Sequence, residues 1–153
     1  MEKGQFKKAK MVYTKEGLFL NDVAIMHVFE RRYIQKLVAK MIDELNVKSV
    51  IEVGFGLGYT AEIFECMCDE HILIEANDGI FEKAEEWAKG KKTKLIHGFV
   101  QDIKIERKVD LLFDDRQELV YPEKFPKENY RFGHYYRYVI PIIPTEKVRS
   151  PAS

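Results

Sequence analysis

Three glycines at alternate positions, Gly54, Gly56 and Gly58, follow the β-branched run Ser49 to Val53 in the segment IEVGFGLG. Glycine permits a sharp turn and a close backbone approach to a ligand, and a helix starting directly afterwards offers unpaired amides. On its own the spacing suits a structural turn equally well. About twenty residues further on, Glu75, with Ala76 beside it, closes the apolar run HILIE, where a carboxylate can accept hydrogen bonds from both hydroxyls of a ribose. Glycine turn and strand-end acid together indicate an adenosine-bearing ligand.

Two such ligands fit, a dinucleotide or S-adenosylmethionine. The dinucleotide fingerprint sets its third glycine one position later than Gly58. Glu52, just ahead of the loop, adds an acid that would repel a pyrophosphate and suit a sulfonium or ammonium cation. The methyl donor is therefore favoured, with Glu52, Gly54, Phe55, Gly56, Gly58, Glu75 and Ala76 as its candidate contacts. Val100, Gln101 and Asp102 follow the next apolar run, where an adenine edge would be read; an exposed turn is the competing reading.

These residues need strands and helices to hold them. Apolar positions from Met26 through Phe29, Tyr33, Leu37, Val38, Met41, Ile42 and Leu45 recur at three and four, which predicts one long helix from about Ala24. Strands are expected at Ser49–Val53, at 71–74 ending on Glu75, at 94–98 and at 109–113, the last running into Asp114 and Asp115. Helices are expected from Tyr59 to Met67 and after Asp78, read as a cap, until Gly90. Strands alternating with helices favour a parallel sheet with ligands beyond its carboxyl ends. Residues 1–20 read as an arm whose lysines form a solvated face. Pro141 and Pro144 confine any final strand to an edge.

The 153 residues suit one domain, 1–153, and the 46% hydrophobic content supplies a core. With 25 basic and 25 acidic residues the chain has no global attraction for nucleic acid. It has no stretch suited to a membrane span or secretory leader, so a cytoplasmic protein is expected. Cys66 and Cys68 read as reduced thiols, the four histidines as packing or surface residues, and no metal is expected.

The pieces MHVFERRYI (26–34), VIEVGFGLG (50–58), HILIEANDGIF (71–81), VDLLFDD (109–115) and YYRYVIPIIP (135–144) resemble, in that order, segments of the guanidinoacetate N-methyltransferase family. The resemblance implies an α/β fold: a truncated class I methyltransferase (Rossmann-like) three-layer architecture with a mostly parallel sheet and a C-terminal edge strand. It implies S-adenosyl-L-methionine as cofactor, Glu75 as its ribose ligand, and Glu30 and Asp115 as the carboxylates that hold a guanidino group. If the strand register shifts by one, Asp114 is the inward-facing acid instead. A guanidinium matches a carboxylate through paired hydrogen bonds, and its methylation requires a proton acceptor, the role implied for Asp115, while Glu30 fixes orientation. The chain departs from the family at Arg116, Gln117 and Glu118, where a threonine, tyrosine and proline would follow the aspartate. It also lacks the helices and strands that the family inserts before the last aromatic strand.

The expectation is a small S-adenosylmethionine-dependent N-methyltransferase acting on a guanidino or amine group of a small metabolite, with a second subunit covering the open sheet edge as a homodimer. Alternatives are a methyltransferase for another small acceptor, through oxygen or another nitrogen, and a non-catalytic donor-binding partner subunit.

Overall fold

A computed structural model describes residues 2–104 and 109–114. The expected Asp115, Arg116 to Glu118 and the C-terminal aromatic strand lie outside the described residues.

The core is a four-stranded parallel sheet of β4 (Ser49–Val53), β5 (Glu70–Glu75), β6 (Lys94–His97) and β7 (Leu111–Asp114) in the order β6-β5-β4-β7. The helices α2 (Arg31–Leu45), α3 (Tyr59–Met67) and α4 (Asp78–Ala88) connect and cover it. Strand alternation explains the division of side chains. Val50, Leu111 and Phe113 pack with Met41, Ile42 and Phe64 of α2 and α3, while Ile51, Val53, Ile72, Ile74 and Leu112 form a separate cluster on the other face. Burying each such side chain contributes about 1.5–3 kcal/mol. No helix among the described residues is long and apolar enough to cross a membrane.

The N-terminal region differs from its reading. The short helix α1 (Lys3–Lys8) precedes an antiparallel meander of β1 (Val12–Tyr13), β2 (Gly17–Leu20) and β3 (Val23–His27). The long helix expected from Ala24 starts only at Arg31, after a 3-10 turn at Val28–Glu30. The cause is local. Asn21 and Asp22 take φ values of 49° and 64°, the paired left-handed conformation of a two-residue hairpin turn, and Met26 is buried as a strand residue rather than as a helical one. Leu18, fully buried, packs with Phe55, Leu73 and Ile80, so the meander is part of the core and not a loose arm.

Two boundaries also shift. The cap of α4 is Asn77, whose side chain accepts from the Ile80 amide at 2.9 Å, in place of Asp78. β7 takes in Asp114, which pairs with Val53 and is buried. Cys66 is exposed and Cys68 buried, both as free thiols; burial pushes the Cys68 thiol up to about 11.

Candidate donor and acceptor site

β4 delivers the chain into the glycine loop at the carboxyl end of the sheet, and α3 leads it away. Gly54, Gly56 and Gly58 have φ values of 91°, 56° and 82°, a conformation that side chains resist. The Gly54 amide donates to the Ile74 carbonyl at 2.7 Å and the Gly58 amide to the Phe55 carbonyl at 2.8 Å. A Cβ on Gly58 would come within 2.7 Å of the Phe55 ring, itself buried and 5.5 Å from Trp87 between centroids. Gly58→Ala is therefore expected to cost about 1–3 kcal/mol of stability, read as a lower denaturation midpoint. At Gly56 an added Cβ would meet, among the described residues, the Met26 thioether at 3.7 Å.

Glu75 ends the neighbouring strand. One carboxylate oxygen accepts from the Phe55 amide and the other from the Asn77 amide, both at 2.9 Å, so the side chain joins the glycine loop to the start of α4. Burial raises its pKa against the opposing pull of the Phe55, Asn77 and Ala76 amides and of His97. Each oxygen of a carboxylate can accept more than one hydrogen bond, so acceptor capacity for a ligand hydroxyl remains. Burial, with a smaller push from the charge of Glu75, raises the pKa of Tyr13 in β1.

Sequence reasoning missed how the N-terminal helix lies across this end of the sheet. The Asn77 side-chain amide donates to the Phe6 and Ala9 carbonyls at 2.8 and 2.9 Å. Lys7 pairs with Asp78 at 2.9 Å and Lys3 with Asp102 at 3.0 Å. Lys7, with His97, holds the Asp78 carboxyl below its usual range. Gln101 and Asp102 are exposed in a 3-10 turn after β6, and the acid expected at an adenine edge is here the partner of Lys3. The lysines read as a solvated face thus bind specific acids.

Glu52 departs from its expected role. It follows Val50 on the helix-covered face of β4, so its carboxylate is fully buried and bonded to Thr60 and His71 instead of facing a ligand cation. His71, read as a packing histidine, is part of the same group.

Glu30, expected on the acceptor side, and Asp114 come from separate elements. Glu30 ends the 3-10 turn before α2, where its carboxylate accepts from the His27 amide at 2.7 Å. Arg31 bonds Glu62 at 3.2 Å and Gln35 bonds the Tyr59 carbonyl at 3.0 Å, which sets the start of α2 beside the start of α3. Glu30 and Asp114 therefore share the sheet end that carries the glycine loop. The described member of the Asp114–Asp115 pair, Asp114, stands level with Val53, the residue before Gly54. Among the described residues no three or more His, Cys, Asp or Glu side chains cluster as a metal site.

Strand order, glycine loop and strand-end acid define the class I methyltransferase fold. The S-adenosylmethionine-dependent methyltransferase of Clostridium acetobutylicum ATCC 824 superposes with a TM-score of 0.50 at 17% identity, over 57% of this chain and 38% of that one. The SAH-bound methyltransferase PaMTH1 of Podospora anserina gives 0.51 at 22% identity, over 56% and 41%. The chain thus spans about two fifths of the length of each. The family model for guanidinoacetate N-methyltransferase matches residues 3–139, and the chain belongs to that family.

Proposed function

We propose that the protein is an S-adenosylmethionine-dependent N-methyltransferase whose acceptor is a guanidino or amine group of a small metabolite. The observation that carries this reading is Glu75, held at the end of β5 by the Phe55 amide of the glycine loop, so that the carboxylate that would take a ribose is fixed to the loop beside it. The residues fit the donor. Gly54 to Gly58 would cradle the donor, Glu75 has acceptor capacity left, and Gln101 and Asp102 would stand toward the adenine only if Asp102 is released from Lys3. When bound, the donor supplies an electrophilic methyl group.

The acceptor is the work of Asp114 and Glu30. Asp114, at the mouth of the loop, would take the proton that the acceptor nitrogen must lose, and Glu30 would orient a guanidinium through paired hydrogen bonds. Alignment by these two carboxylates then provides most of the rate gain. A panel of guanidino acids, amines and phenols, assayed for methylated product by mass spectrometry, tests the assignment. Methylation of guanidino or amine acceptors is expected; methylation of phenols alone would contradict it.

The raised pKa of Glu75 sets a pH dependence. As pH falls, Glu75 takes up its proton above the ordinary carboxylate range, and the neutral acid accepts from a diol less well. Affinity for S-adenosylhomocysteine is expected to fall on acidification, read by calorimetry across a series of buffers from neutral to acidic. Stability runs the other way. A group whose folded pKa exceeds its unfolded value contributes most below the unfolded pKa and loses that contribution as pH rises through the folded one, so this group's titration cannot weaken binding by unfolding the protein.

A further inference from the structure

A buried chain of polar side chains runs beneath α3, behind the glycine loop. The Thr60 hydroxyl donates to one oxygen of Glu52. The other Glu52 oxygen lies 2.8 Å from His71 Nε2, and His71 Nδ1 lies 2.8 Å from Thr93 Oγ1. Thr93 in turn donates to Glu65 at 2.6 Å. Both side chains of the Glu52–His71 pair are 0% exposed, and the rings of Phe64 and Trp87 stand 5.7 and 6.4 Å from the imidazole.

Proton counting gives this chain a direction. Glu65 accepts from the Thr93 hydroxyl and the Lys92 amide, which with the Lys92 charge work against burial to hold its carboxyl below the usual value. Glu65 is therefore an acceptor. A hydroxyl has one hydrogen, and that of Thr93 goes to Glu65, so Thr93 Oγ1 can only accept from His71 and Nδ1 carries a proton. A neutral ring protonated on Nδ1 would leave the Nε2 lone pair facing a carboxylate oxygen, two acceptors with nothing between them and no water to intervene. One further proton belongs in that contact. The pair is then neutral overall, which spares the interior an uncompensated charge.

Glu52 stands two residues before Gly54, and Thr60 two residues after Gly58. Their hydrogen bond ties the two flanks of the loop together. We propose that His71 is a positioning residue for the donor loop: sharing one proton with Glu52 as a neutral buried pair, it aims the Glu52 carboxylate at Thr60 and so holds the loop closed at its base. The positioning half rests on the donor-site reading above; the shared proton does not.

Nitrogen-15 NMR of the His71 ring in the whole protein at neutral pH tests the proton. The expected spectrum has a proton on Nδ1 and a second shared between Nε2 and Glu52, with Glu52→Gln reducing the ring to one. A ring with no proton on Nδ1 overturns the count. Affinity for S-adenosylhomocysteine tests the positioning. Thr60→Ser, which keeps the hydroxyl, is expected to bind as the parent does, whereas Thr60→Val and His71→Gln each weaken binding about tenfold with unchanged circular dichroism. Because His71 acts through Thr60, combining the two changes should cost little more than either alone. Parent-like binding by Thr60→Val overturns the positioning role. A parent protein that binds no S-adenosylhomocysteine overturns the donor-site reading and the positioning with it, while the NMR experiment decides the shared proton by itself.

Discussion

Glu75→Ala should weaken S-adenosylhomocysteine binding by at least about a hundredfold, because hydrogen bonding from a ribose to a charged acceptor disappears. The loss has a second source. The Phe55 and Asn77 amides now bonded to the carboxylate would be left without partners in a buried place, at about 1–3 kcal/mol each, so the loop and the start of α4 would loosen as well. Glu75→Gln separates the two contributions. It keeps the shape and one acceptor oxygen, so the thermal midpoint should fall less than for alanine while affinity remains well below that of the parent. Calorimetric titration of both variants, alongside thermal unfolding, reads the two effects independently. Parent-like affinity in Glu75→Ala would remove the ribose from this carboxylate.

Asp114→Asn should lower kcat by at least about a hundredfold while S-adenosylhomocysteine affinity changes little, the pattern of a lost proton acceptor. Asparagine keeps the size of the side chain but cannot take the acceptor's proton. The neighbouring change Asp115→Asn is the control. Strand side chains alternate between faces, so a one-residue difference in register exchanges which of the two acids belongs to the site. Asp114 lies level with Val53, the residue before Gly54. Turnover measured at saturating methyl acceptor in both variants decides the point: a large loss in Asp115→Asn with a mild one in Asp114→Asn would reverse the assignment.

The parts legible in the sequence were those where one signal repeats or two signals agree. α3 and α4 show helical spacing over several turns, and the glycine loop sits between a β-branched run and a helix, so strand, loop and helix fall where they were expected. Glu75 was legible because its distance from the loop matches a parallel-strand crossover. The meander was not. Strands of two to five residues carry too little alternation to compete with the helical spacing of Met26, Phe29 and Tyr33, and the one local sign, Asn21–Asp22, lacks the glycine that usually marks such a turn.

Misreadings at the site have the same character. Glu52 was correctly placed beside the loop, but which face of β4 it occupied depended on pairing with β5 and on His71, a residue nineteen positions away. The grip of Lys3 and Lys7 on Asp102 and Asp78 spans 99 and 71 positions, and no local pattern encodes contacts of that range. Asp114 and Asp115 differ by a single step of register, which composition and spacing leave open.

A nucleoside donor seated between the glycine loop and Glu75 underlies every role assigned above. Calorimetric titration of the whole protein with S-adenosylhomocysteine at neutral pH tests this most directly. Saturable binding at one ligand per chain, accompanied by a rise in the thermal midpoint as ligand concentration increases, is the predicted result. No heat of binding and no thermal shift, at ligand concentrations up to about a thousand times the micromolar range, would contradict it.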